Sequence, residues 1–206
     1  YQTRYMLRLF SFLSLWLISL NAWAYVIQGR FINIDGNGIP GVTVSAGGYS
    51  VTTDASGNFK LDGLAESNYN VTTSHSSYKT KTVSNIYVGD NNPTSNLGTR
   101  YLVATSNGYR INVSVTSNGQ TLSGATVTTG STTGTLQSNN YYVLNVSETS
   151  GTVTVSKSGF NTISRGFGVN DDWPVTTVWV SLAEGGYKVK GTLVDINDKP
   201  VASVTV

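Results

Sequence analysis

The sequence predicts an all-β protein made of tandem β-sandwiches, and three observations lead to this. Apolar and polar residues alternate with period two in many short segments, which is typical of strands with one buried face. Turn residues recur every 8 to 12 residues or so, as they do in sandwich domains. A pattern of about 80 residues repeats along the chain, which suits a small β domain. No segment after Ala24 shows a helical period.

The composition limits the possible functions. Charged residues make up only 12% of the 206 residues, and the net charge of +2 is too small to attract nucleic acid or an acidic membrane surface. The absence of cysteine removes disulfides, thiolate metal sites and cysteine nucleophiles. His75 is the single histidine, so the chain cannot form a site with several histidine ligands. We expect no cofactor and no metal.

The first element is a segment with the parts of a secretory signal. Arg8 supplies positive charge, Leu9 to Leu20 is an apolar run interrupted only by serines, and Ala22 and Ala24 are small residues where signal peptidase cleaves. We therefore expect residues 1–24 to be upstream sequence and an N-terminal signal helix. The alternative is an uncleaved membrane anchor, although the run is short for a span of about 20 residues.

Next come repeated units that open with Tyr25, Tyr109 and Tyr187. Each continues as an alternating strand, a polar turn and a second strand that ends in valine. We expect a first sandwich over 25–104, a second, divergent copy over 105–186, and the first two strands of an incomplete third copy over 187–206. The side chains expected to point inward are Ile27, Gly29, Phe31, Val42 and Val44 in the first copy, Ile111, Val113, Val115, Ala125 and Val127 in the second, and Val189, Gly191, Leu193, Val204 and Val206 in the third.

The turn after the first strand contains a G-x-G-x-x-G pattern formed by Gly36, Gly38 and Gly41. In a dinucleotide-binding loop, the third glycine begins a helix whose N-terminus meets the pyrophosphate. Here Gly41 begins an alternating strand with β-branched residues, so the context excludes that function. The glycines serve a turn and a close approach between strands.

A hairpin follows, with the sequence "TDASGNF". Asp54 can accept backbone N–H groups across the turn, and Gly57 is expected in the left-handed conformation. When residues 56–64 are aligned with residues 138–146, Gly57 corresponds to Asn139, which is therefore expected in the left-handed conformation in the second copy. The same alignment superposes Tyr141 on the inward Phe59, and therefore predicts that Tyr142 points outward.

Several residues of the first copy together resemble the carboxypeptidase regulatory-like domain, a transthyretin-like or prealbumin-like family. They are Gly29, Gly41, Val42, Val44, Thr53, Asp54, Gly57, Phe59, Leu61, Leu64, Tyr69, Val71 and Tyr78. The resemblance implies a seven-stranded Ig-like or transthyretin-like sandwich that is used mainly as an accessory module. It covers residues 25–104 well and residues 108–183 more weakly.

Catalytic chemistry is not indicated, and we expect no enzyme and no catalytic residue. The eleven acidic residues lie almost entirely in predicted turns, and two small sandwiches imply no cleft for a pair of carboxylates. Asp171 and Asp172 could ligate Ca²⁺, but a solvated turn is the better interpretation. His75 is expected to be solvated.

Three aromatic residues are candidates for a ligand-stacking surface. Trp179 is predicted to point outward because Val178, Val180 and Leu182 alternate inward, and its equivalent in the first copy is expected to be Arg100. Trp173 lies in a loop, and Tyr142 is the third candidate. The alternative for these residues is interdomain packing or pairing across strands. Possible N-glycosylation triplets occur at Asn70, Asn112 and Asn145.

These features favour a non-catalytic, secreted or cell-surface structural or adhesive module, a stalk or fibre of repeated sandwiches. It would lie in the periplasm or on the outer surface if the source is bacterial. The expected partners are other copies of the same domain or a cell-surface protein or glycan, with no nucleic acid, and a membrane only through an uncleaved signal. The alternatives are a carbohydrate- or protein-binding accessory region of a larger secreted enzyme, and the N-terminal extension of an outer-membrane TonB-dependent receptor.

The partial third copy allows two hypotheses, because two strands alone are not stable. Either the reading frame continues, or residues 187–206 act as a donor segment that pairs with a neighbouring molecule.

Overall fold

The computed structural model describes residues 24–185 and residue 199. The expected signal segment before Ala24 and the expected third copy therefore lie outside the described residues, apart from Lys199. All regular structure within residues 24–185 is β-strand, which confirms the predicted fold class, and that range includes no helix suited to crossing a membrane.

The first unit comprises seven strands in two sheets. They are β1 (Tyr25–Ile32), β2 (Thr43–Ala46), β3 (Tyr49–Thr52), β4 (Asn58–Leu64), β5 (Ser67–Ser74), β6 (Thr82–Val88) and β7 (Thr94–Tyr101). One sheet has the order β4-β1-β7, in which β1 is antiparallel to β4 and parallel to β7. The other sheet has the order β3-β2-β5-β6 and is antiparallel throughout.

The second unit repeats this arrangement with two additional short strands. Its strands are β8 (Tyr109–Ser117), β9 (Gln120–Thr121), β10 (Thr126–Thr129), β11 (Thr132–Thr133), β12 (Thr135–Leu136), β13 (Tyr141–Val146), β14 (Ser150–Ser156), β15 (Ile163–Gly168) and β16 (Val175–Ser181). One sheet runs β12-β13-β8-β16, and the other runs β11-β10-β14-β15. Strand β8 is again antiparallel to one neighbour, β13, and parallel to the other, β16.

Each unit encloses its own cluster of buried side chains between its two sheets. Phe31 and Phe59 stack at 5.3 Å between ring centroids in the first cluster, and the fully buried Ile111, Val113 and Val115 run through the second. The predicted inward pattern is confirmed along β1, β2, β8 and β16. Each fully buried aliphatic or aromatic side chain contributes about 1.5–3 kcal/mol relative to exposure, so the alternation itself supplies the main stabilising term.

The hairpin between β3 and β4 confirms the predicted role of Asp54. Its Oδ1 accepts the backbone N–H groups of Ser56 at 2.9 Å and Asn58 at 2.8 Å, and these bonds, those from Asn58 first, hold the pKa of the carboxyl below its usual value. Gly57 has φ +79°, and a Cβ there would lie 2.2 Å from the carbonyl oxygen of Phe31. Gly38 packs against the other side of the same turn, where a Cβ would collide with the carbonyl group of Ser56. The pattern of Gly36, Gly38 and Gly41 therefore serves the turn and the close packing of strands.

The expected alignment of the two copies is wrong by one residue in the equivalent hairpin. Asn140, not Asn139, has the left-handed conformation, with φ 66°. Its N–H donates to the carbonyl of Gln137 just as that of Gly57 donates to Asp54. Tyr142 consequently pairs with Val113 and is only 4% exposed, so the expectation that it points outward is wrong.

A second one-residue shift occurs in the last strand of each unit. Trp179 pairs with Ser114 of β8, and Thr99 makes the equivalent pair with Arg30 of β1. Thr99 therefore occupies the position of Trp179, and the expected equivalence with Arg100 is wrong. The prediction that Trp179 points outward is nevertheless confirmed, since 70% of its surface is exposed.

Candidate functional site

The segment that joins the two units is bound to the first unit along its length. Leu102 donates its N–H to the carbonyl of Ile32. The N–H of Lys79 donates to the carbonyl of Val103 at 2.8 Å, and the N–H of Thr105 donates to the carbonyl of Ser77 at 3.0 Å. Leu102 packs in the core of the first unit, and the next residue, Val103, packs in the core of the second. Because two consecutive residues are buried in the cores of different units, this segment cannot act as a flexible linker.

A lysine from the first unit closes the junction against a buried tyrosine of the second. The Nζ of Lys79 donates to the hydroxyl of Tyr109 at 3.0 Å and lies 4.7 Å from the centroid of its ring. The hydroxyl in turn donates to Oδ1 of Asp171 at 2.6 Å. Burial, followed by the hydrogen bond to Asp171, raises the pKa of Tyr109, whereas Lys79 opposes that shift.

A second lysine contacts the same loop of the second unit. The Nζ of Lys81 lies 2.6 Å from Oδ1 of Asp172 and 3.1 Å from the carbonyl oxygen of Asp171. The lysine side chain is only 12% exposed, whereas that of Asp172 is 65% exposed. The hydrogen bond from Lys81 holds the pKa of Asp172 below its usual value. Asp171 and Asp172 are exposed and lie in a bend, in keeping with the expected solvated turn, but both also accept hydrogen bonds from Lys81 of the first unit.

An ion pair bridges the junction on another side. Arg110, at the start of β8, donates from Nη2 to Oδ1 of Asp35 in the first unit at 2.7 Å, and from Nε to Oδ1 of Asn145 at 3.3 Å. Partly exposed pairs of this kind contribute about 0.2–1 kcal/mol each. Together the basic side chains of Lys79, Lys81 and Arg110 connect the units through acidic and tyrosyl partners.

The tyrosine–aspartate pair of the junction also occurs at the start of the first unit. Tyr25, the residue equivalent to Tyr109, donates its hydroxyl to Oδ1 of Asp90 at 2.5 Å. That hydrogen bond is the main reason that the pKa of Tyr25 is raised to about 12, with the charge of Glu66 adding to it. The described residues therefore contain the same structural pair twice, once at the start of the second unit beneath Lys79 and once at the start of the first unit.

The three aromatic residues proposed as a stacking surface do not come together. Tyr142 is buried, and its hydroxyl accepts the N–H of Ala125 at 2.9 Å. Trp173 is 73% exposed and lies beside Thr99, Arg100 and Tyr101 of the first unit. Trp179 lies on the outer face of the sheet that contains β8.

The remaining candidate residues lie as follows. His75 is partly exposed, accepts the N–H of Ser77 on Nδ1 at 3.1 Å and packs edge-on against Tyr78. Asn70, Asn112 and Asn145 lie in β5, β8 and β13, and glycosylation of any of them stays a prediction. Within residues 24–185, no group of three or more His, Cys, Asp or Glu side chains is arranged to hold a metal ion.

An open cleft of about 670 Å³ lies between the two units. The second unit contributes the outer face of its β12-β13-β8-β16 sheet, and the first contributes a short segment and the end of β7. The lining residues are Ile34, Asp35 and Tyr101 from the first unit, and Arg110, Asn112, Gln137, Ser138, Asn139, Val143, Asn145 and Val175 from the second. Sequence reasoning missed this cleft, because no pattern along the chain brings these residues together.

These features define the class of protein as a tandem β-sandwich with a fixed junction between its units. Residues 26–109 match the family model of the carboxypeptidase regulatory-like domain, which confirms the resemblance seen in the sequence for this segment. No curated protein matches the chain in sequence.

Several solved structures align with parts of this chain at low sequence identity. A chain of a type II cohesin–X-dockerin complex from Acetivibrio cellulolyticus has 21% identity over 40% of this chain, with a TM-score of 0.35, and the present chain spans 59% of its length. The Bacillus anthracis TIE protein is 13% identical to this chain, with a TM-score of 0.31. The alignment covers 78% of this chain and 34% of the TIE chain. The shaft pilin SpaA of Lactobacillus rhamnosus GG is 9% identical to this chain, with a TM-score of 0.30. The alignment covers 81% of this chain and 100% of the pilin chain.

Proposed function

We propose that the chain is a non-catalytic structural or adhesive module of a secreted or cell-surface protein, in which successive sandwiches form a rigid stalk. The observation that carries this proposal is the junction, which is fixed by backbone hydrogen bonds, by adjacent core residues and by polar contacts. Location outside the cytoplasm is supported by the signal-like pattern of residues 6–24. The two domains of this proposal are residues 25–104 and 105–186.

Rigidity follows from the way the contacts are distributed around the junction. Lys81 contacts the loop that precedes β16, and Lys79 contacts Tyr109 at the start of β8. Arg110, the next residue of β8, contacts Asp35 of the first unit. A hinge needs residues that can change backbone angles without losing contacts. The hydrogen-bonded stretch from Leu102 to Thr105 has little such freedom, and a Cβ at Gly108 would lie 2.5 Å from the carbonyl oxygen of Ala104.

The experiment measures the distance distribution between two spin labels, one in each unit. The chain has no cysteine, so Asn91→Cys and Ser158→Cys, both at exposed loop positions, give specific attachment sites. We expect one narrow distribution in the full chain. A control pair of labels within the second unit, at Thr132→Cys and Ser158→Cys, sets the width that a single domain gives.

A junction variant makes the experiment specific. Lys79→Ala, Lys81→Ala and Arg110→Ala combined should broaden the distribution between the units while leaving the control pair unchanged. A distribution in the unmodified junction that is much broader than that of the control pair would refute the rigid stalk.

A further inference from the structure

The cleft between the units continues onto a partly aromatic sheet face. Because side chains alternate along a strand, Arg110, Asn112 and Ser114 of β8 share the outer face. Pairing with the neighbouring strands places Val143 and Thr177 beside Asn112. The next row contains Tyr141, Ser114 and Trp179 in that order, so two aromatic rings flank a small residue.

The cleft is rich in amide groups that retain hydrogen-bonding capacity. The side chain of Asn112 is half-buried, and among the described residues it has no hydrogen-bond partner. Asn145 and Asn139 use Oδ1 to accept bonds from Arg110 and from the backbone of Tyr141, which leaves their N–H groups for a ligand. The unpaired amide atoms of Asn112 are open to solvent, since no buried side-chain N or O atom of the described residues lacks a partner, and a ligand can take the place of the water that they bind.

The charges of the cleft compensate one another. Arg110 and Asp35 are the charged residues of its lining, and they form an ion pair at 2.7 Å. A charged ligand would meet no uncompensated opposite charge, whereas a neutral ligand with many hydroxyl groups matches both the amides and the ion pair. Exposed tryptophan and tyrosine rings add an amphipathic surface on which the apolar face of a sugar ring can stack.

We propose that this face, formed by Asn112, Asn145, Tyr141 and Trp179 and bounded by Tyr101 and Asp35 of the first unit, binds a neutral polysaccharide. The size of the cleft suits a few sugar residues, because ligand sites commonly enclose about 300–1,000 Å³. The polysaccharide chain would enter between the units and leave across the row of Tyr141, Ser114 and Trp179. This function goes beyond the structural role proposed above.

The test is affinity electrophoresis of the full chain in gels that contain one soluble polysaccharide each. The neutral probes are a β-glucan, a xylan, a galactomannan and starch, and polygalacturonate is the anionic comparison. We expect at least one neutral probe to retard the chain, and Trp179→Ala and Asn112→Ala each to weaken binding at least about tenfold. Thermal unfolding of each variant establishes that it is folded, and Trp179 is exposed enough that its loss should not disturb the core.

Trp173→Ala is the matched control, since this tryptophan is as exposed as Trp179 but lies in the loop before β16, outside the row of Tyr141, Ser114 and Trp179. It should leave retardation within about twofold of the unmodified chain. Absence of retardation by every neutral probe, retardation by polygalacturonate alone, or equal losses for Trp173→Ala and Trp179→Ala would overturn the proposal. A face that captures a protein and no neutral polysaccharide would do the same. None of these outcomes alters the distance measurement that tests the rigid stalk, so the two proposals fail separately.

Discussion

The contact between Lys79 and Tyr109 should contribute measurably to the stability of the second unit. The perturbation is Lys79→Met, which removes the ammonium group but retains most of the apolar stem. Tyr109→Phe removes the hydroxyl, and the double variant completes a cycle. Because Tyr109→Phe also breaks the hydrogen bond to Asp171, the coupling energy of the cycle is the quantity that isolates the lysine contact.

The expected magnitude follows from the geometry. An ammonium group 4.7 Å from a ring centroid is worth about 0.5–1 kcal/mol at an exposed site. The hydrogen bond at 3.0 Å adds to this, but Lys79 is exposed, so water and salt reduce its share to the range of surface pairs, about 0.2–1 kcal/mol. We expect a coupling energy of about 1 kcal/mol, or roughly fivefold in the unfolding equilibrium constant.

Urea unfolding followed by tryptophan fluorescence is a suitable assay. In a chain that carries Trp16→Phe and Trp23→Phe, the remaining Trp173 and Trp179 both lie in the second unit, so the signal reports on the unit that contains Tyr109. The coupling should weaken at high ionic strength, where the Debye length falls to about 3 Å. A coupling energy below about 0.2 kcal/mol at low salt would refute the reasoning that Lys79 secures the junction.

Three further predictions concern the turn, the register and the pH dependence. Gly57→Ala should destabilise the first unit by several kcal/mol in thermal unfolding followed by circular dichroism, because at φ +79° the new Cβ would collide with the backbone. The control is Gly119→Ala, which has a similar φ of +76° but open space around it and should cost only about 1 kcal/mol. Equal costs for the two variants would contradict this reasoning. Tyr142→Ala should cost about 3–5 kcal/mol in urea unfolding, and Tyr141→Ala much less; the reverse order would restore the expected alignment. Asp172 has a depressed pKa in the folded state, so its contribution is present above its unfolded pKa of about 3.9 and is lost as the pH falls through the folded value. The stability difference between the unmodified chain and Asp172→Asn should therefore shrink as the pH is lowered from about 6 to about 3, and a difference that stays constant would show that the carboxylate charge is irrelevant.

The sequence was sufficient to predict the sandwich units and the inward side chains of most strands, because burial of one face imposes a period of two. The error in register arose where residue identity and periodicity disagreed. Aligning Ser56 with Ser138 matched two serines, although Tyr142, Leu144 and Val146 form the alternating inward set. Continuing that alternation back from Val146 would have placed Tyr142 inside.

The junction and the cleft were beyond prediction for a different reason. Their contacts join polar residues far apart in sequence, such as Lys81 with Asp172, and polar surface residues follow no period that marks their partners. One signal was available, because the segments "VGDNNP" and "VNDDWP" place Asp90 and Asp171 at equivalent positions. The repetition of these aspartates, together with that of Tyr25 and Tyr109, could have predicted the tyrosine–aspartate hydrogen bond of each unit. It could not have predicted that Lys79 contacts Tyr109.

The parallel pairing of the first and last strands has a mechanical consequence for a stalk. A pulling force enters the first unit at the start of β1 and leaves at the end of β7, and these two strands lie side by side in the same direction. Such a load slides the strands past each other, so their hydrogen bonds resist together instead of opening one at a time. The second unit has the same geometry in β8 and β16, which makes each sandwich strong along the direction in which the chain would be stretched.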